Sequence, residues 1–142
     1  MPLSVLGCNQ SPVKWIYNIW CIFSGLVFCY LGYLIINIFD GFISAIIAIL
    51  LFIYGIGCEI ISGIFPLNEK REDETIYTKI HGGCSAIGFI ALLFVPLFIA
   101  LFTNGFWNIV SLFCFILAFI FFVFFIIGEK EKFKNTIFSY CG

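Results

Sequence analysis

Apolar residues run through this chain in four long blocks rather than alternating with polar ones. The blocks cover 15–39, 42–65, 82–102 and 106–127, with polar breaks at Asp40-Gly41, from Pro66 to Lys79 and at Thr103-Asn104-Gly105. A helix crosses a hydrocarbon core of about 30 Å with about 20 residues at 1.5 Å rise, so each block is long enough to span a bilayer. The period of two that marks barrel strands is absent, and lipid admits only elements that satisfy their own backbone hydrogen bonds. The pattern predicts an all-α polytopic membrane protein, a single transmembrane domain over 1–142 with four transmembrane helices. The first and third breaks are only a few residues long, so the helices pair as two antiparallel hairpins. The segment 66–80 is the one sizeable loop. The first block is longer than the apolar core of a signal peptide, about 7–15 residues, and no A-x-A-like cleavage site follows it, so it should stay in the membrane.

Composition agrees with this reading. Hydrophobic residues make up 63% and charged residues 11% of the chain, whereas a soluble domain needs roughly a quarter charged to cover its outside. The few charges are informative through their placement. All 7 basic residues, Lys14, Lys70, Arg71, Lys79, Lys130, Lys132 and Lys134, fall before the first block, in 66–80 or after the fourth, and none falls in the Asp40 or Asn104 breaks. By the positive-inside rule the loop 66–80 and both termini are expected in the cytoplasm, with the chain multi-pass in the cell membrane. The formal net charge of −1 leaves no basic surface for a phosphate backbone, so nucleic acid is excluded as a partner. The lipid bilayer is the partner that the composition requires.

Cysteine and histidine usage argues against redox or metal chemistry. No two of the 7 cysteines form a C-x-x-C pair, and most sit inside apolar blocks, where they read as small core hydrophobes. The 1 histidine, His81, supplies too few ligands for a membrane haem or a zinc hydrolase. No metal or cofactor is expected, and no catalytic residue is assigned.

Glu59 is the one formally charged residue well inside a block. It precedes Pro66 by two helical turns, which places it roughly 10 Å from the helix end. A charge in mid-bilayer costs on the order of 2–4 kcal/mol, so such a residue faces the protein interior, finds a partner or takes up a proton. At helical spacing Ala48, Phe52, Gly55, Glu59, Ser62 and Gly63 lie on or beside one face, and Gly55-x-x-x-Glu59-x-x-x-Gly63 forms a small-residue seam that admits a neighbouring backbone. The third block opens on a matching surface, with His81, Ser85 and Gly88 at i, i+4 and i+7. Antiparallel spans two and three bring these faces together, so Glu59, His81 and Ser85 are the candidate polar or proton site. A bland alternative has Glu59 hydrogen-bonded across a helix seam and His81 solvated at the interface. Pro96 removes the amide that would bond the Leu92 carbonyl, so a kink is expected there. The fourth block is almost wholly Phe, Ile, Leu and Val and should be the most lipid-exposed helix.

Three stretches carry a resemblance to a known family. Leu3-Ser4-Val5-Leu6-Gly7, then Ser11-Pro12, lead into a helix holding Asn18 and Gly25, and Gly63-Ile64-Phe65-Pro66 precedes a polar loop with His81 opening the next helix. These resemble the uncharacterised prokaryotic membrane family known as domain of unknown function 998, over roughly residues 3–142. The resemblance implies a six-helix protein of which this chain is the central four-helix portion, because a first helix and a last helix after a Gly-x-x-Gln-Arg-like turn have no counterpart. It brings no activity. It implies that Gly63, Phe65, Pro66 and His81 occupy motif positions, at the cytoplasmic mouth of spans two and three. Pro66 also has a purely structural use, since it stops a helix and disfavours helical geometry at Phe65.

The function that asks least of this sequence is an integral membrane component without enzymatic activity, structural or helix-packing, with Gly55, Gly63 and Gly88 as packing residues. The alternative is a proton-linked small-solute transporter or permease-like subunit using Glu59 and His81. Four helices scarcely enclose a solute path, so that alternative requires additional helices or a homo-oligomer. An intramembrane lipid enzyme with His81 as base lacks a nucleophile elbow, an oxyanion loop and a metal set.

Overall fold

The computed structural model describes residues 6–7, 11–65 and 75–140, with side-chain surroundings as far as Gly128. Four helices long and apolar enough to cross a membrane are present, and the described residues contain no strand. They are α1 (Lys14–Ile38), α2 (Phe42–Ile64), α3 (Ile76–Phe102) and α4 (Phe106–Tyr140). The protein is an all-α polytopic membrane protein. Two helices extend beyond their apolar blocks. The third begins at Ile76 rather than 82, because Thr75 caps it by accepting the Thr78 N–H at 3.4 Å and no breaker lies between. Residues 76–80, expected in the loop, are therefore helical. The fourth continues past 127 into the Glu- and Lys-rich stretch, whose residues are strong helix formers. Pro66 and the acidic and basic run that follows it lie outside the described residues.

Both tight turns depend on a glycine with left-handed backbone, Gly41 at φ 119° and Gly105 at φ 66°. Hydroxyls and an amide then bond carbonyls around both turns, among them those of Phe39 and Ala100, which the helix ends leave free. Ser44 Oγ lies 2.9 Å from the Phe39 carbonyl and 2.7 Å from that of Gly41. Across the other turn Thr103 donates to Ile99 O at 2.8 Å and Asn108 to Ala100 O at 2.5 Å.

Packing follows chain order: α2 is flanked by α1 and α3, and α4 packs on α3. Burial grades accordingly, with 39% of the most apolar window buried in α2, 28% in α3, 17% in α1 and 0% in α4. The last helix is thus the one most exposed to lipid. The three packed helices are chemically divided along their length. Towards the Asp40 end, Ile47, Leu51 and Val95 form an apolar core with Phe28, Ile35 and Leu92 against it. Towards the other end, that of Lys14, Ile64 and Ile76, the buried positions are Asn18, Cys21, Gly25, Cys58, Ser62, Gly63 and His81. Pro96 lies inside a helix that continues to Phe102.

Candidate functional site

The polar half of the packed helices is organised by an irregularity in α2. Residues Tyr54–Ile60 are wound as π-helix, with the wider i→i+5 repeat. Such segments insert a residue into the α-helical register and often occur at functional positions. Here the segment brings Tyr54 and Glu59 together. The Tyr54 hydroxyl donates to Glu59 Oε1 at 2.6 Å across five residues. The Tyr54 ring is itself held from both sides, edge-on to Phe28 of α1 at 4.7 Å and to Phe89 of α3 at 6.2 Å. Glu59 therefore has a donor that is fixed by both neighbouring helices.

The Gly55–Glu59–Gly63 seam faces α1. A Cβ on Gly25 would stand 2.5 Å from the Gly55 carbonyl oxygen and 3.0 Å from Glu59 Cβ, and a Cβ on Gly55 would stand 2.7 Å from the Gly25 oxygen. At Gly63 the obstacle is the Asn18 carbonyl at 2.8 Å. The two backbones touch, as the small-residue seam predicts, but the neighbour is α1 and not the third span. Ser62 and Cys58 are on the other side, towards α3. Ser62 and Ser85 share a hydrogen bond of 2.8 Å, and a Cβ on Gly88 would meet Cys58 Cβ at 2.6 Å.

His81 closes the end of α2. It is buried, and its Nδ1 lies 2.8 Å from the Phe65 carbonyl oxygen. A carbonyl only accepts, so Nδ1 carries the proton, and Nε2 is the acceptor in the neutral ring. That carbonyl is one that the end of a helix leaves without an intrahelical partner. Phe65 is fixed a second time by stacking on Tyr77, 5.6 Å between ring centres and 15° between planes.

The candidate residues are thus gathered in one half of the molecule but not into one cluster. Glu59 pairs with Tyr54 and His81 with Phe65. Among the described residues no hydrogen bond or ion pair joins Glu59 to His81. Ser85 lies between them in depth, on Ser62. Gly55 and Gly63 serve the α1 contact, Gly88 serves the α3 contact, and Pro66 lies outside the described residues.

Several neighbours of Glu59 escape a reading by helical spacing. Tyr54 is five residues away, a separation that an α-helix does not place on one face, and only the π turn closes it. Asn18 is buried with its Oδ1 unpartnered, one turn from Cys21 on the face that meets α2. The signal for these residues was present in the first block as Asn18, Cys21, Gly25 and Gly32, which recur at helical spacing. Among the described residues no three His, Cys, Asp or Glu side chains converge as metal ligands. What the arrangement offers is a set of hydrogen bonds between helices in a medium with no water to compete.

No curated protein and no solved structure matches this chain. A family model does match, over residues 1–135, which takes in both the Leu6-Gly7 stretch and the segment from Gly63 to His81. With nearly its whole length covered, the chain belongs to the family described as protein of unknown function, DUF998.

Proposed function

We propose that this protein is a structural component of the cell membrane without enzymatic activity, in which α2 is locked between α1 and α3 and both termini of the four-helix unit face the cytoplasm. The observation that carries this reading is the reciprocal backbone contact between Gly25 and Gly55, beside which the hydroxyl and carboxyl groups of α2 are spent on partners. Tyr54 serves Glu59 across the π turn within α2, Ser62 and Ser85 join α2 to α3, and His81 fixes the end of α2 through Phe65. Glu59 acts as an internal clamp rather than as a carrier of charge. Positive charge confined to one side supports the cytoplasmic placement. The partners that this role requires are bilayer lipids and, through the faces left exposed, further membrane helices.

The test is Glu59→Gln, which keeps an acceptor for Tyr54 and removes the ionisable group. Membrane accumulation and resistance to unfolding in detergent are expected to match the parent chain, and the variant should complement a deletion strain. A Glu59→Gln protein that folds and accumulates normally but fails to complement would overturn the structural reading.

A further inference from the structure

The seam between α1 and α2 is spaced differently on its two sides. On α1 its residues are Asn18, Gly25 and Gly32, at i, i+7 and i+14. On α2 they are Ala48, Gly55 and Gly63, at j, j+7 and j+15. A Cβ on Gly32 would stand 3.1 Å from the Ala48 carbonyl oxygen, and the contacts of Gly25 with Gly55 and of Asn18 with Gly63 continue the row. Two α-helical turns hold about 7.2 residues, so a step of seven keeps a face and a step of eight overshoots it by about 80°. The step of eight on α2 contains the π segment Tyr54–Ile60. Before that segment the Tyr54 N–H bonds the Leu50 carbonyl, and after it the Phe65 N–H bonds that of Ile61, both i→i+4. Between them the Ile61 N–H reaches back to the Ile56 carbonyl, i→i+5. The wider turn takes up the extra residue and returns Gly63 to α1.

Wound as α-helix throughout, the same residues make a second register. Ser62, at j+14, then stands opposite Asn18 in place of Gly63 and leaves Ser85, with α1 and α2 eased apart there by the bulk of a serine. Two observations bear on this register. Asn18 is buried, 6% exposed, and its Oδ1 has no hydrogen-bond partner, while the residue packed on its backbone is Gly63, which has no side-chain donor. A serine hydroxyl in that place is the donor that the buried acceptor lacks. The second observation is the bond from the Tyr54 hydroxyl to Glu59 Oε1, which spans i to i+5. An α-helix sets those positions on different faces, so α winding opens this bond and the bond in turn holds the π turn closed.

We propose that α2 is a two-register helix, in which the Tyr54–Glu59 hydrogen bond latches the π turn and its release lets residues 61–65 turn into α winding, passing Ser62 from Ser85 of α3 to Asn18 of α1. The same rotation draws the Phe65 carbonyl off His81, so the state of the latch is transmitted to the end of the helix. The proposal rests on the clamp role given to Glu59 above and adds what the clamp controls.

Ser62→Cys combined with Ser85→Cys reads the register of the full chain in membranes. In the π register the two introduced thiols face each other, since the hydroxyls they replace lie 2.8 Å apart. In the α register the thiol at position 62 takes the place of a Cβ on Gly63, which stands 3.4 Å from Cys21 Cβ, close to the spacing of a disulfide. After brief oxidation with copper phenanthroline, peptide mass spectrometry measures the ratio of the 62–21 to the 62–85 disulfide, and the 62–85 product is expected to predominate. Tyr54→Phe, which keeps the ring between Phe28 and Phe89 and removes only the hydroxyl, is expected to raise the ratio about threefold or more, the shift that loss of one hydrogen bond in a membrane gives a two-state equilibrium. Glu59→Gln, which still accepts from Tyr54, should leave the ratio at its parent value. Deletion of Ile56, which is 47% exposed, removes the extra residue, so that α winding now puts Gly63 on α1 and position 62 on α3. Added to Tyr54→Phe, this deletion should return the ratio to its parent value. A ratio unmoved by Tyr54→Phe, raised equally by Glu59→Gln, or not restored by the deletion would each overturn the switch. None of these outcomes touches the Gly25–Gly55 lock, whose failure is read by complementation with Glu59→Gln.

Discussion

At the scale of single residues, the polar groups of the membrane interior differ in what their removal leaves behind. His81 supplies the donor to a carbonyl at the end of α2, and truncation strands that carbonyl at a partly buried position. Leaving a buried acceptor unsatisfied costs about 1–3 kcal/mol. His81→Ala is therefore expected to lower the unfolding free energy in a detergent titration by that amount. Ser62 and Ser85 satisfy each other, and a hydroxyl in a membrane helix can turn to its own backbone when its partner is lost. Hydrogen bonds between membrane helices average about 0.6 kcal/mol by double-mutant cycles. Ser62→Ala should thus cost well under half of what His81→Ala costs. Equal losses in the two variants would mean that the His81 contact is no more than another exchangeable hydrogen bond.

At the scale of helices, the decisive contact is between backbones, and glycine substitutions separate it from general effects of glycine on helix stability. Gly55→Ala places a methyl group 2.7 Å from the Gly25 oxygen, closer than atoms tolerate, and neither backbone yields without moving its helix. Overpacking of this kind costs about 1–3 kcal/mol. Gly83→Ala on the open face of α3 meets nothing within 4 Å and gains helix propensity, so it should be neutral or stabilising. Opposite signs for these two changes in thermal unfolding are expected, and a similar effect from both would remove the case for a close α1–α2 seam. Helix number, hairpin pairing and the exposure of α4 were legible in the sequence, because hydropathy and loop length determine them directly. The seam at Gly55, Glu59 and Gly63 was legible as a seam, since small residues four apart share a face. Its neighbour was not, because spacing within α2 says nothing about which helix fills the notch. The Tyr54–Glu59 pair was hidden for a different reason: it exists only because Tyr54–Ile60 leaves the α-helical repeat on which face arguments rest.

For the molecule as a whole, orientation rests on few charges, which makes it open to reversal. All 7 basic residues fall before the first apolar block, between the second and third, or after the fourth, while the Asp40 and Asn104 turns carry none. Lysine and arginine in short loops near helix ends govern which end stays on the side of synthesis, and added charge towards the C-terminus can invert a topology. The loops here are short, and the last helix packs on α3 alone among the principal helix contacts, so little packing resists a change in the α3–α4 hairpin. An epitope placed after Asn104 should be accessible to antibody on intact cells, and one placed after Tyr140 only after permeabilisation. Combining Asn104→Lys with Lys130→Gln, Lys132→Gln and Lys134→Gln moves the positive charge of this hairpin to its turn. A mixed population, with a substantial share of molecules showing the 140 epitope outside, is the expected result. If labelling stays that of the parent chain, orientation is set by the α1–α2 hairpin and its fit against α3.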